Sequence, residues 1–183
     1  MRFLILLTAA FIISILTSCN TTTKEVQAEE TIVATYPERA KDMVMYEVNV
    51  RQYTPEGTFD AFIPHLERIR NMGVDILWFM PIQPIGVVKR KGGLGSYYSI
   101  KNYTAVNPEF GTLEDFKKVV DKAHELGFVV ILDWVANHTA WDHDWIYSNP
   151  EFYTKDSLGN IIPPNPDWSD IADLNFENAE MRN

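Results

Sequence analysis

One short apolar run constrains this chain more than any other feature. Phe128-Val129-Val130-Ile131-Leu132 is rich in β-branched residues, follows Gly127 and stops at Asp133. Such a run reads as a strand buried on both faces, as in a parallel sheet covered by helices. Directly after it comes Asp133-Trp134-Val135-Ala136-Asn137-His138. A carboxylate, an amide and an imidazole therefore gather where a buried parallel strand ends. Parallel α/β folds bind their ligands at that end.

The upstream segments agree with this reading. Met43 to Val50 reads as a strand, and Val74 to Met80 as a second one ended by Pro81. Between them Phe59, Phe62, Ile63, Leu66, Ile69 and Met72 form a helical stripe closed by Gly73. Pro64 fits the first helical position, with Thr58 to Ile63 as a lead-in turn. A Gly-rich loop covers Ile82 to Gly111, and Thr112-Leu113-Glu114-Asp115 looks like a capping box. Leu113, Phe116, Val119, Val120 and Ala123 share one helical face, and the third strand runs from Phe128 to Val135. This alternation predicts right-handed βαβ crossovers and three adjacent parallel strands. After His138 the chain reads as irregular, aromatic and Pro-rich to about Asn178, an insertion between a strand and its helix. Asn178 to Asn183 reads as a first helical turn capped by Asn178.

Length and charge narrow the rest. A chain of 183 residues is ample for one domain but short of a whole eightfold barrel, at about 250 residues. Lys and Arg number 16 against 25 Asp and Glu, a formal net charge of −9. That balance argues against nucleic acid and anionic membrane surfaces as partners. There is no P-loop, no GxGxxG and no Cys-rich metal spacing. Five Trp and eight Tyr suit a partner that stacks on rings, such as a sugar, although core packing is the ordinary use of each.

The amino terminus carries a targeting pattern. Met1-Arg2 supplies positive charge, and Phe3 to Leu16 is apolar but short for a spanning helix. It ends in Leu16-Thr17-Ser18-Cys19, which resembles the lipobox of bacterial lipoproteins. That resemblance implies a signal peptide over 1–18 and a lipid on Cys19 that anchors the protein in the membrane. The location would be the cell envelope, periplasmic or on the outer-membrane surface. The alternative is a buried free cysteine in an ordinary signal core. Residues 19–36 read as the anchored cysteine and a flexible polar tether. A single cysteine excludes a disulfide within the chain.

Several blocks together resemble the α-amylase superfamily, glycoside hydrolase family 13. They are Tyr46-Glu47-Val48, Gly73 to Pro81, Gly95 to Tyr103, Asn107 to Thr112, Asp133 to His138, and Ile171-Ala172-Asp173-Leu174-Asn175. The resemblance runs from about Met43 to the last residue. It implies the first part, about three strands, of a (β/α)8 TIM barrel over 37–140. The start of an inserted domain would occupy 141–177, and the beginning of an incomplete helix 178–183. The implied activity is retaining hydrolysis of α-glucans such as starch or maltooligosaccharides.

The resemblance also assigns residues. His138 matches the histidine that hydrogen-bonds a sugar hydroxyl at the cleavage subsite; its other reading is a ring capping local backbone. Tyr98 matches the tyrosine that stacks beneath the sugar ring, with Tyr97 as neighbouring competitor. Asp133 matches a supporting aspartate of the substrate site. Asn137 and Asp173 match ligands of a structural calcium, whose hard-oxygen preference they suit; their other reading is hydrogen bonding across a domain seam. Asn102 departs from the family's usual aspartate before Tyr103 and puts a local salt bridge there in doubt. Retaining glycosidases need a carboxylate nucleophile and a carboxylic general acid, and the family's positions for both fall beyond Asn183. No catalytic residue is therefore assigned in this chain. A different class also fits: a lipid-anchored, non-catalytic glucan-binding or adaptor protein.

Weaker candidates complete the reading. Asp142, His143 and Asp144 could ligate a metal but read more simply as a solvated turn. Lys89-Arg90-Lys91 reads as a charged loop tip, and His65 and His124 as helix-surface residues.

Overall fold

The structure is a computed structural model and describes residues 38–183. The signal-peptide, lipidation and tether readings, Cys19 included, lie outside the described residues. Strand β1 (Met45–Val48) ends at Asn49, and Val50–Tyr53 forms a helical turn, α1. The stripe expected from Thr58 to Met72 is helical but not continuous. Helix α2 (Phe59–Phe62) passes through a 3-10 turn at Ile63–His65 into α3 (Leu66–Asn71). Pro64 is the cause, since proline supplies no amide hydrogen and disfavours the helical conformation before it. Thr58 caps α2 by accepting from the Ala61 amide.

Strand β2 (Ile76–Phe79) is followed by the long loop, in which Ile85 and Ile100 bridge antiparallel. Helix α4 (Leu113–Glu125) begins with the expected capping box between Thr112 and Asp115. Leu113 departs from its expected place on the buried face. It is 52% exposed, because it occupies the first helical position, ahead of the turns that reach the sheet. Gly127, at φ +81°, reverses the chain into β3 (Val129–Leu132).

The three strands are parallel in the order β1-β2-β3, with Tyr46, Leu77 and Val130 in one row and Val48, Phe79 and Leu132 in another. Alternation sends Leu77 and Phe79 to the helix-covered face, where Phe59, Phe62, Phe116 and Val119 pack against the sheet. Phe79 meets Phe62 at 5.6 Å and Phe116 at 5.5 Å, both edge to face. The expectation that the third strand is buried on both faces is corrected. Ile131 is 38% and Leu132 44% exposed, because they end an edge strand, and no described element covers either face there.

The region after His138 is more ordered than expected. Strand β4 (His138–Ala140) pairs antiparallel with β5 (Ile171–Asp173), a sheet that the residue pattern did not disclose. Between them lies the helical turn α5 (Trp145–Ser148), and a small apolar cluster joins Phe152 and Tyr153 to Ala172 and Leu174. The last element, α6 (Ala179–Arg182), is capped as expected, the Asn178 side chain accepting from the Glu180 and Met181 amides.

Candidate functional site

The site forms where β3 ends and the long loop returns. The Asp133 amide donates to the Phe79 carbonyl, 2.9 Å, so the first site residue is fixed to the adjacent strand. Tyr98 arrives from the loop and donates its hydroxyl to Asp133 Oδ2, 3.2 Å. Its carbonyl receives the Ile100 amide and lies 3.1 Å from His138 Nε2. Asn137 Nδ2 stands 2.8 Å from His138 Nδ1. An amide NH2 only donates, so with this geometry Nδ1 accepts and Nε2 carries the proton that reaches Tyr98. Asp133, Tyr98, His138 and Asn137 thus form one connected chain.

Burial sets the protonation of these groups. His138 is 7% exposed. Desolvation pushes its pKa below the ordinary histidine value, partly offset by the Tyr98 carbonyl, Asp170 and Asp173. The Tyr98 hydroxyl is pushed up by burial and by the Asp133 carboxylate. The ring and the phenol are therefore neutral near pH 7, a state suited to hydroxyl partners. They border a cavity of about 280 Å³, completed by Ser96, Trp168, Asp170 and Ile171.

Tyr103 clamps the block that carries His138. Its hydroxyl lies 2.9 Å from the Val135 carbonyl and 2.7 Å from the His138 carbonyl, and burial raises its pKa far above the usual phenol value. Beside it, Asn102 Oδ1 accepts from both the Thr104 amide and hydroxyl, each 2.9 Å, so the residue departing from the family pattern closes a turn instead of an ion pair. Tyr97 is not equivalent to Tyr98. It packs on the core beneath the Arg51 guanidinium, 4.5 Å from its ring centre.

Asn137 and Asp173 come together as neighbours across the second sheet. His138 is the register partner of Asp173, and the Asn137 carbonyl accepts from the Leu174 amide, 3.2 Å. Calcium takes six to eight oxygens. An amide oxygen and a carboxylate suit it in kind but fall short in number. Among the described residues no cluster of three or more His, Cys, Asp or Glu is placed to hold one ion.

One reading of the loops is corrected. Asp142 and His143 do not form a solvated turn. Asp142 accepts from the Val87 amide at 3.1 Å and pairs with Lys101 at 3.2 Å. His143 is 5% exposed, accepts from the Trp145 amide and lies against the Tyr103 and Trp145 rings; burial lowers its pKa. The basic tip is a charged turn as expected, with Lys89 and Lys91 exposed, and its side chains reach neighbouring segments. Lys89 lies 3.3 Å over the Trp141 ring, Arg90 donates to the Ile85 and Gly86 carbonyls, and Lys91 reaches the Asp167 carbonyl and Asp170. Trp168, Asp170 and Ser96 were not expected at the site. The clue lay in Asn165-Pro166-Asp167-Trp168, where a tryptophan in a run of turn residues has no helical or strand face to serve.

Comparison with known proteins now decides the family. Residues 21–162 match the alpha amylase catalytic domain. The chain belongs to the α-amylase family. Alpha-amylase 3 of Dictyoglomus thermophilum is 30% identical over 167 residues, covering 78% of this chain and 32% of that protein. The crystal structure of an alpha-amylase from Lactobacillus plantarum superposes with a TM-score of 0.74 at 47% identity, over 76% of this chain and 33% of that one. A maltogenic alpha-amylase from Thermotoga neapolitana gives 0.72 at 40% identity, again over 76% and 33%. The chain thus spans about a third of the length of these relatives. Its parallel strands are the first part of the family's TIM barrel.

Proposed function

We propose that this chain supplies the sugar-contacting start of the catalytic domain of a retaining glycoside hydrolase acting on α-glucans such as starch or maltooligosaccharides. The observation that carries the reading is the connected chain Asp133–Tyr98–His138–Asn137, which starts where β3 ends and whose Tyr98 and His138 border a cavity. In this reading Asp133 fixes the Tyr98 phenol, so the ring presents a steady face to the sugar C–H bonds. His138 holds the Tyr98 carbonyl and shares its Nε2 proton with a sugar hydroxyl. Neither the nucleophile nor the general acid of retaining hydrolysis is assigned to these 183 residues; turnover of a maltooligosaccharide by the chain alone would refute that assignment. In the protein that joins this chain to the rest of the barrel, His138→Ala lowers kcat/KM by about ten- to a hundredfold, the equivalent of roughly 1.5–3 kcal/mol. A variant with unchanged kcat/KM and only a lower Tm would refute the sugar-site reading.

Transfer of the sugar to an acceptor other than water is a second reading. An alpha-1,4-glucan:maltose-1-phosphate maltosyltransferase of Arcanobacterium haemolyticum is 36% identical over 141 residues, which favours keeping it. Product analysis with a maltooligosaccharide acceptor separates the two. A structural calcium at Asn137 and Asp173, completed by further oxygens, would tie the second sheet together. Chelator then lowers the Tm of the native chain and leaves that of Asn137→Ala unchanged. A lipid anchor on Cys19 would place the protein in the cell envelope, and Cys19→Ala then releases it from membranes; unchanged fractionation would leave a plain signal peptide.

A further inference from the structure

The tip of the long loop meets its neighbours mainly through charge. Val87, Val88 and Leu94 are exposed, so apolar burial does little to hold the turn down. Lys89 stands over the Trp141 ring. Lys91, half exposed, donates to the Asp167 carbonyl and pairs with the buried Asp170 carboxylate at 3.5 Å. Arg90 turns the other way and donates to the Ile85 and Gly86 carbonyls at the base of the loop. That base is firmly closed. Ile85 and Ile100 bridge, the Gly86 amide donates to the Ser99 carbonyl at 2.9 Å, and the Lys101 amide donates to the Pro84 carbonyl at 2.8 Å.

Between base and tip the backbone is hinged. Lys89 has φ +56°, the one non-glycine residue with a positive φ among the described residues, and Gly92 and Gly95 have φ +66° and +74°. A lysine persists in the left-handed region only where its surroundings hold it there. A Cβ added at Gly92 or Gly93 would meet nothing within 4 Å, so the turn stands free on that side. A segment with few apolar contacts opens at low cost, and contacts between exposed charges weaken with salt.

The latch matters because it joins two walls of the cavity that His138 borders. Ser96 and Tyr98 come from the loop, and Trp168, Asp170 and Ile171 from the segment that Lys91 grips. The Ser99 hydroxyl, donating to the Asp170 carbonyl at 3.1 Å, ties the same walls at a buried point. Lys91 ties them where solvent reaches.

We propose that residues 88–94 form a salt-sensitive strap, latched by Lys91 to Asp167 and Asp170, whose opening widens access to the His138 cavity. Opening leaves the base intact: Lys91 releases Asp170, and the turn moves about Lys89 and Gly95. The device does not depend on which ligand the cavity takes.

The test uses the 183-residue chain and two readouts, amide hydrogen exchange and carbethoxylation of His138 by diethyl pyrocarbonate, both followed by peptide mass spectrometry. His143 is comparably buried but borders a different cavity, so its carbethoxylation is the internal reference. Between low salt and about 1 M NaCl the screening length falls to about 3 Å. Exchange over residues 88–94 and modification of His138 relative to His143 should both rise about two- to fivefold, the span of an exposed ion pair, while exchange in α4 stays flat. Lys91→Met should show the raised values already at low salt and lose the salt response. Lys91→Arg should restore native behaviour. Salt-independent exchange over 88–94 would overturn the latch, as would a Lys91→Arg chain that behaves like Lys91→Met. Faster exchange with unchanged His138 modification would overturn the link between strap and cavity.

Discussion

The three-stranded sheet is held by main-chain ladders and an aromatic core, whereas the two-stranded sheet adds to its own short ladder a set of side chains reaching for main chain. In the first, Phe59, Phe62, Phe79 and Phe116 interlock under α2 to α4. In the second, Tyr103 reaches two carbonyls, Asp142 the Val87 amide, Ser99 the Asp170 carbonyl and Lys91 the Asp167 carbonyl. Apolar packing tolerates exchanges that conserve volume. A polar clasp needs a particular atom at a particular distance. The region that carries the candidate site is therefore the less substitutable of the two, although it buries fewer apolar side chains.

The comparison can be broken at its strongest point first. Phe79→Ala removes a fully buried ring and should cost about 3–5 kcal/mol in urea unfolding. A cost below that of any polar clasp would contradict the contrast. Tyr103→Phe keeps the ring and removes only the hydroxyl shared by the Val135 and His138 carbonyls. It should cost about 1–3 kcal/mol and sharpen amide exchange around β4. No loss would mean that the second region does not depend on this atom.

Two smaller effects refine the contrast. Thr112→Ala deletes a cap remote from the cavity and should cost about 1 kcal/mol. Sugar binding should be unchanged, because α4 belongs to the scaffold. The smallest effect concerns pH. Burial lowers the His143 pKa in the folded chain, so the unfolded chain binds the proton more readily. The corresponding stability is full above the ordinary histidine value near 6.5 and declines as pH falls below it. Tm should drop between pH 7.5 and 5.5, and His143→Asn should flatten that slope.

The same contrast explains what was legible. The strands at 45–48, 76–79 and 129–132 lie inside the expected segments, because a short apolar run bounded by turn residues announces itself by composition. The Thr112 box and the Asn178 cap were equally plain, being local chemistry. Strands β4 and β5 were not. Each has three residues, too few for alternation to register, and each finds its partner only across the loops between them. The closeness of His138, Tyr98 and Asp133 followed from family resemblance, not from periodicity. Trp168 and Asp170 escaped both routes, since their place depends on Lys91 and Ser99 reaching across from a distant loop.

The pairing of His138 with Asp173 has a consequence in time. Residue 138 leaves the ribosome 35 residues before residue 173, an interval of about 2–7 s at synthesis rates of roughly 5–20 residues per second. During that interval the parallel sheet has all three strands, but β4 lacks the strand it will pair with. The candidate pocket is thus an element of late assembly laid on an early one, and a translational pause within residues 139–170 would lengthen the exposure of β4 without touching a single contact of the finished fold.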